Sequence, residues 1–229
     1  EQAARDVLSA AFYLHATFSE EVWLWRGQAN SRYGVEPGMH TRAQASQRKL
    51  VGREVVRGTE HLLQIARDAR IDARDDIRLP DLALLATLQH HGAATPLLDV
   101  TTDPLIALWM VAFASADAPD ELDGTAGRLF GILRPPSERW IEGLDSRPYA
   151  EISDFTDASY YWYRPPDVTE RLRTQRGSFI LGGYRDGLPN SDTTLHLDVG
   201  PTLANGSKNF VEKRLEKRGQ RGNNAQRQS

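Results

Sequence analysis

Apolar positions recur at helical spacing in some windows of this chain and run together in others. Val7, Leu8, Ala11, Phe12 and Leu14 predict a helix over 7–18, broken at Ser19 and Glu20. Val22 to Arg26 reads as a strand because Val and Trp favour one, and Gly27 permits a turn or a close backbone approach. Leu50, Val51, Val55, Val56, Leu62, Leu63 and Ile65 predict one long helix over 44–69, weakened by Gly52 and Gly58. Residues 73–80 read as a charged connection. Asp81 is the expected N-cap of a helix to Gln89, and Gly92 stands where a C-terminal glycine belongs.

Leu97 and Leu98 fit a short buried strand. Thr102 or Asp103 then caps a helix with Pro104 in its first turn. That helix runs to about Ala116 and is apolar nearly all round, which predicts a core helix. Residues 118–127 read as a polar loop, and Arg128 to Leu133 as a strand stopped by Pro135-Pro136. The stretch 137–167 reads as irregular despite the run Tyr160-Tyr161-Trp162-Tyr163. Strands are expected at Ser178–Leu181 and Thr194–Val199, and a last helix at Phe210–Arg218. Helices mixed with separated strands predict an α+β fold with mixed or antiparallel sheets and flanking helices.

Composition adds limits. With 229 residues, 40% hydrophobic and 26% charged, the chain can bury a core of its own. The reading is a single domain over 1–206, followed by a basic helix and tail over 207–229. No apolar run approaches the roughly 20 residues that span a bilayer, and no signal peptide is legible at the start. A cytoplasmic protein with no membrane partner is expected. The absence of cysteine excludes disulfides, cysteine-ligated metals and a cysteine nucleophile. The formal charge is −3, but residues 208–229 hold seven basic and two acidic residues. The tail is therefore +5 and the rest −8. Such a tail can touch nucleic acid or an acidic partner, or be a solvated helix.

Candidate chemistry gathers around two short motifs. In Gln89-His90-His91-Gly92 the adjacent histidines do not share a helix face, and no metal-binding spacing accompanies them. No metal is expected. Either His suits general acid–base work, or a packed ring at a helix end. Asp99 leaves a buried strand at its carboxyl end, where a ligand carboxylate or a turn cap is equally suited. Thr101 and Thr102 precede a helix, as caps or as hydroxyls for a phosphate or ribose. Arg26, between Trp25 and Gly27, suits a phosphate or carboxylate, or an ion pair with Asp99. Gln175 cannot titrate, so its role would be orientation. Walker A, GxGxxG and GxSxG motifs are absent.

Trp25-Arg26-Gly27-Gln28, then Pro37 and Arg42, then Gln89-His90-His91-Gly92, Thr95, Leu97-Leu98-Asp99, Thr101, Pro104 and Ala107-Leu108 resemble the FRG domain. Arg173, Gln175, Gly177 and Phe179 resemble its later Gln-x-Gly-x-Phe segment, so the motif core spans 22–181. Ala94-Thr95-Pro96 and Val100 depart from the usual residues around the Leu-Leu-Asp block.

The family layout is similar to that of arginine-class ADP-ribosyltransferases. The resemblance implies an ADP-ribosyltransferase-like fold with NAD as substrate. It would place Arg26, Gly27, Gln28, Thr101 and Thr102 at the NAD, and Gln175 where a catalytic Glu is usual. Arg26, His90, His91, Asp99, Thr101 and Gln175 form the candidate catalytic set.

Three readings stand. One is an NAD-dependent transferase acting on an unknown acceptor macromolecule, as a bacterial toxin or anti-phage defence effector. Another is a binding module without turnover, for a nucleotide or another partner. The last is a nuclease or hydrolase built on His90, His91 and Asp99.

Overall fold

The computed structural model describes residues 9, 12, 13, 16, 23–48, 50–74, 77–112, 126–152, 160–166, 177–182, 194–201 and 208–212, the last two segments by backbone alone. The elements are β1 (Trp23–Gln28), α1 (Gly38–Ala45), α2 (Gly52–Asp68), β2 (Ala73–Arg74), β3 (Ile77–Arg78), α3 (Asp81–His90), β4 (Leu98–Thr101), α4 (Pro104–Ala112) and β5 (Gly127–Leu133). After these come a 3-10 turn (Ser137–Arg139), β6 (Trp140–Glu142), α5 (Tyr149–Ile152), β7 (Tyr160–Arg164), β8 (Gly177–Gly182), β9 (Thr194–Pro201) and β10 (Lys208–Glu212). The fold is α+β with mixed strand pairing. It divides into two compact units, one from 1–34, 100–134 and 191–229, the other from 35–99 and 135–190.

In the first unit the strands run β10-β9-β5-β1, and the end of β4 meets β1 at Thr101 opposite Trp25. Every pairing here is antiparallel. Alternation along β1 puts Trp23, Trp25 and Gly27 on one face, and Leu24, Arg26 and Gln28 on the other. The tryptophan face is covered by α4, whose Ala107 and Val111 pack with Trp23, Trp25 and Leu129. Gly131 of β5, opposite Trp25, leaves room for both indoles; a Cβ there would lie 3.2 Å from each ring. Aromatic burial on this scale stabilises by about 2–3 kcal/mol per side chain.

The second unit is built around α3. Leu82 to Ala86 are all fully buried, so this helix is the core. On α2, Val55, Thr59, Leu63 and Ala66 form the buried stripe at helical spacing. The sheet β8-β7-β6 mixes antiparallel and parallel pairs, and sends Tyr163, Phe179, Leu181 and Ile141 into the same core. Asp81 fastens three helices: its carboxylate accepts from Arg67 of α2 and from the Tyr149 N–H of α5 at 2.9 Å. The other face of β7 carries Trp162, whose indole N–H donates to Ser178 at 2.9 Å and whose ring meets Trp140 edge-on at 5.4 Å.

Several expectations change. The single helix over 44–69 is two, α1 and α2, parted at Gln47, whose φ is 56°. Glu54 accepts from the Val51 N–H at 3.1 Å, half of a capping box that starts α2 afresh. Residues 73–80 contain the small hairpin β2–β3, with Arg74 opposite Ile77. Asp81 is inside α3 after Pro80, so it joins helices instead of capping one. The aromatic run 160–163 is β7, not irregular chain. The expected last helix begins in a strand, since Lys208–Glu212 pair with β9. Nor is α4 a core helix all round: Leu105 and Trp109 are 43% and 47% exposed. Of the helix expected over 7–18, the four described residues, Ser9, Phe12, Tyr13 and Ala16, are helical. No helix among the described residues is long and apolar enough to cross a membrane.

Candidate functional site

β1 explains why a glycine follows Arg26. A Cβ on Gly27 would come 2.0 Å from the Ala107 carbonyl oxygen and 2.9 Å from the Val111 amide nitrogen. Only a bare Cα lets α4 lie this close. Gly27 is therefore a seat for a helix inside a strand, and its side of β1 faces away from that of Arg26 and Gln28.

Arg26 and Gln28 are two apart on β1 and so share a face. With the Gln28 amide oriented as its neighbours require, its oxygen accepts from Arg26 Nε at 3.1 Å and Nη2 at 3.0 Å. Both side chains are half-buried. A neutral amide fixes the direction of the guanidinium fork without itself supplying a counter-charge.

Thr101 lies on the opposite face. It is buried, stands opposite Trp25, and its hydroxyl accepts from the Asp103 N–H at 3.1 Å. Asp103 then accepts from the Leu105 N–H at 2.9 Å, so Asp103 is the side-chain cap of α4. Thr102 is exposed in the turn between them. Of the five residues expected at a nucleotide, the structure brings together Arg26 and Gln28. Gly27 and Thr101 serve the helix side.

In the second unit, α3 ends in a full Schellman motif. The Gly92 N–H donates to Gln89 O at 2.9 Å and the Ala93 N–H to Leu88 O at 3.0 Å, with Gly92 at φ 86°. This turn presents His90 and His91, whose rings meet edge-on at 5.2 Å; His91 is exposed. Helix α1 braces it. Arg42 Nη2 donates to Gly92 O at 2.7 Å, and the Met39 N–H donates to Thr95 O at 3.1 Å. The buried Thr95 hydroxyl donates to the Gln89 amide oxygen and accepts from the Leu97 N–H at 3.3 Å. The Gln, the Gly and the Thr of this block thus fix the loop, and the histidines ride on it.

His40 of α1 is half-buried, and burial lowers its pKa below the usual histidine value while the Glu36 carboxylate opposes that shift. Sequence reasoning missed His40; Thr41-Arg42 beside it was the signal. Asp99 is exposed on β4 between the buried Leu98 and Val100. Gln175 lies outside the described residues. No three His, Cys, Asp or Glu side chains gather as a metal site among the described residues.

Residues 21–121 match the family model of the FRG domain. This chain carries an FRG domain. No curated protein and no solved structure matches it. The match covers β1, the α1 brace, the His-His-Gly turn, β4 and α4. Most of the FRG domain's marked positions described here therefore have a structural task. Gly27 seats α4, Arg42 and Thr95 hold the turn, and Gly92 closes α3. Arg26 is oriented by the neutral amide of Gln28.

Proposed function

We propose that this FRG domain binds a phosphate-bearing nucleotide, NAD foremost, through Arg26. The observation that carries this reading is the guanidinium held at Nε and Nη2 by the Gln28 amide oxygen. A fork held in this way presents directed donors to an oxyanion at little entropic cost.

Transfer of ADP-ribose is the activity we attach to that site. It is supported by strand order: β4, which leads into α4, is hydrogen-bonded directly beside β1. That is the Arg-strand, Thr-strand, helix sequence that the resemblance to ADP-ribosyltransferases implies. In such a transfer the bond from ribose C1′ to nicotinamide breaks, nicotinamide leaves with the electron pair, and an acceptor nucleophile adds to C1′ as it loses a proton. That proton passes to a general base or to water as the new bond forms.

The test is titration of the chain with NAD, with nicotinamide release followed in parallel. Wild type should bind, Arg26→Ala should abolish binding, and Gln28→Ala should weaken it about three- to tenfold, the loss of one orienting hydrogen bond. Release that disappears in Arg26→Ala supports the transferase. Binding without release for any acceptor reduces the function to a nucleotide-binding module. No binding of NAD overturns the proposal.

A further inference from the structure

Positive charge is concentrated where α1 turns into α2. Residues 42–57 hold Arg42, Arg48, Lys49, Arg53 and Arg57 against one acid, Glu54, a formal +4 in a chain of −3. The four arginines are exposed. Gln47, at φ 56°, turns the chain at the end of α1, and the Arg48 N–H is pinned to Ala43 O at 2.9 Å. Arg53 and Arg57 stand one turn apart on α2, away from its buried stripe of Val55, Thr59, Leu63 and Ala66. Met39 of α1 packs on Gly58 of α2, so Arg42 and Arg57 each lie within a turn of that contact. The four arginines therefore belong to one helical hairpin inside the second unit.

Folding does not account for these charges. Elsewhere Arg67, Arg78, Arg147 and Arg164 each meet a carboxylate. Among the described residues no carboxylate pairs with Arg42, Arg48, Arg53 or Arg57, and Arg42 donates to the Gly92 carbonyl instead. The nearby acids serve neutral donors. Glu36 accepts from the Gln44 amide at 2.7 Å, Glu54 from the Val51 N–H at 3.1 Å and Asp68 from the Gln64 amide at 2.8 Å. Glu60, three residues after Arg57, forms no ion pair among the described residues. Arg53 is also the second residue of a 17-residue helix, at the end whose dipole disfavours a cation.

We propose that the α1–α2 hairpin binds the phosphate backbone of double-stranded nucleic acid. Closely spaced, exposed arginines suit successive phosphates, which the guanidinium fork contacts at two points. Residues 38–71 hold no Phe, Trp or Tyr, so the hairpin lacks the stacking rings on which single strands are held. Contacts to phosphate alone carry no sequence information, so binding is blind to sequence. This surface is independent of the Arg26 site, which belongs to the other unit.

The experiment is fluorescence anisotropy of the whole chain over a range of salt. The probes are labelled DNA duplexes of two unrelated sequences, an RNA duplex, a DNA single strand and polyglutamate. One variant combines Arg48→Gln, Arg53→Gln and Arg57→Gln, a second carries Lys at the same positions, and a third combines Lys213→Gln, Arg214→Gln and Lys217→Gln in the tail. Wild type should bind duplexes of either sequence alike, and more tightly than the single strand or polyglutamate. The Gln variant of the hairpin should flatten the slope of log affinity against log salt by about three, one per phosphate contact. The Lys variant keeps the charge, should retain most of the slope, and controls for damage to the hairpin. The tail variant should bind as wild type does.

Binding of the DNA duplex, the RNA duplex or both supports the proposal and names the source of the phosphates. Absence of binding to either duplex at low salt overturns it. So does a Gln variant with the wild-type slope, or a tail variant that alone loses binding. Tighter binding of the single strand or of polyglutamate overturns it as well, the latter in favour of an acidic protein partner.

Discussion

Arg42 donates from Nη2 to the carbonyl oxygen of Gly92 at 2.7 Å, joining α1 to the turn that follows the two histidines. The bond tethers a backbone oxygen at a helix end by a cationic donor, and α1 adds a second tie through Met39 N–H to Thr95 O at 3.1 Å. Arg42→Ala should therefore loosen the turn more than it destabilises the protein. Because this bond is exposed, the expected cost is about 1 kcal/mol. Amide exchange at Gly92 and Ala93 should quicken well before global unfolding. Equal protection in both proteins would show that α1 does not hold the turn.

Gly27→Ala tests the helix seat. The added methyl meets the Ala107 carbonyl at 2.0 Å, and neither a strand nor a helix backbone yields cheaply. A loss of about 3 kcal/mol in urea unfolding is expected, with Trp fluorescence shifted because Trp23 and Trp25 lie under the same helix. A cost under about 1 kcal/mol would mean that α4 can slide.

Asp81→Asn removes the carboxylate that Arg67 and the Tyr149 N–H share. The site is only partly exposed, so about 2 kcal/mol is expected. Arg67→Ala should cost a similar amount. Because both variants break the same contact, the double variant should cost clearly less than their sum in a denaturation cycle. Simple additivity would separate the two residues.

His40 gives stability a slope with pH. Burial lowers its folded pKa below the unfolded value of 6.5. Between those two values the unfolded chain binds more protons than the folded one, so stability rises with pH there. The contribution is full above 6.5 and is lost as pH falls through the folded pKa. Denaturation at pH 7.5, 6.5 and 5.5 should show this fall in wild type and a shallower one in His40→Gln. Identical slopes would assign the effect to other groups.

Much of the site was legible because its residues carry local geometry. A glycine after α3 announces a left-handed turn, and Gly92 occupies one at φ 86°. Arg26 at the end of an apolar run announces a strand-borne cation. The role of Gly27 was half legible: close backbone approach was foreseen, but its partner, Ala107, is eighty residues away in the chain.

The misreadings share another cause. Apolar spacing continues from α1 into α2, and only the left-handed Gln47 and the Glu54 cap mark the break. Tyr160 to Tyr163 has no polar alternation to signal a strand, because both faces of β7 are largely buried. Lys208–Glu212 takes strand geometry from pairing with β9, which no local propensity reveals.

That register also orders events during synthesis. Trp23 pairs with Leu133 and Trp25 with Thr101, so β1 leaves the ribosome before either neighbouring strand has been made. Until β5 arrives, the edge of β1 that it pairs is a row of unsatisfied backbone groups in the nascent chain, which invites association with other chains. A fragment cut anywhere before Gly127 keeps the chain in that state permanently. The smallest piece able to shelter Arg26 must therefore reach past the FRG-like block to Leu133.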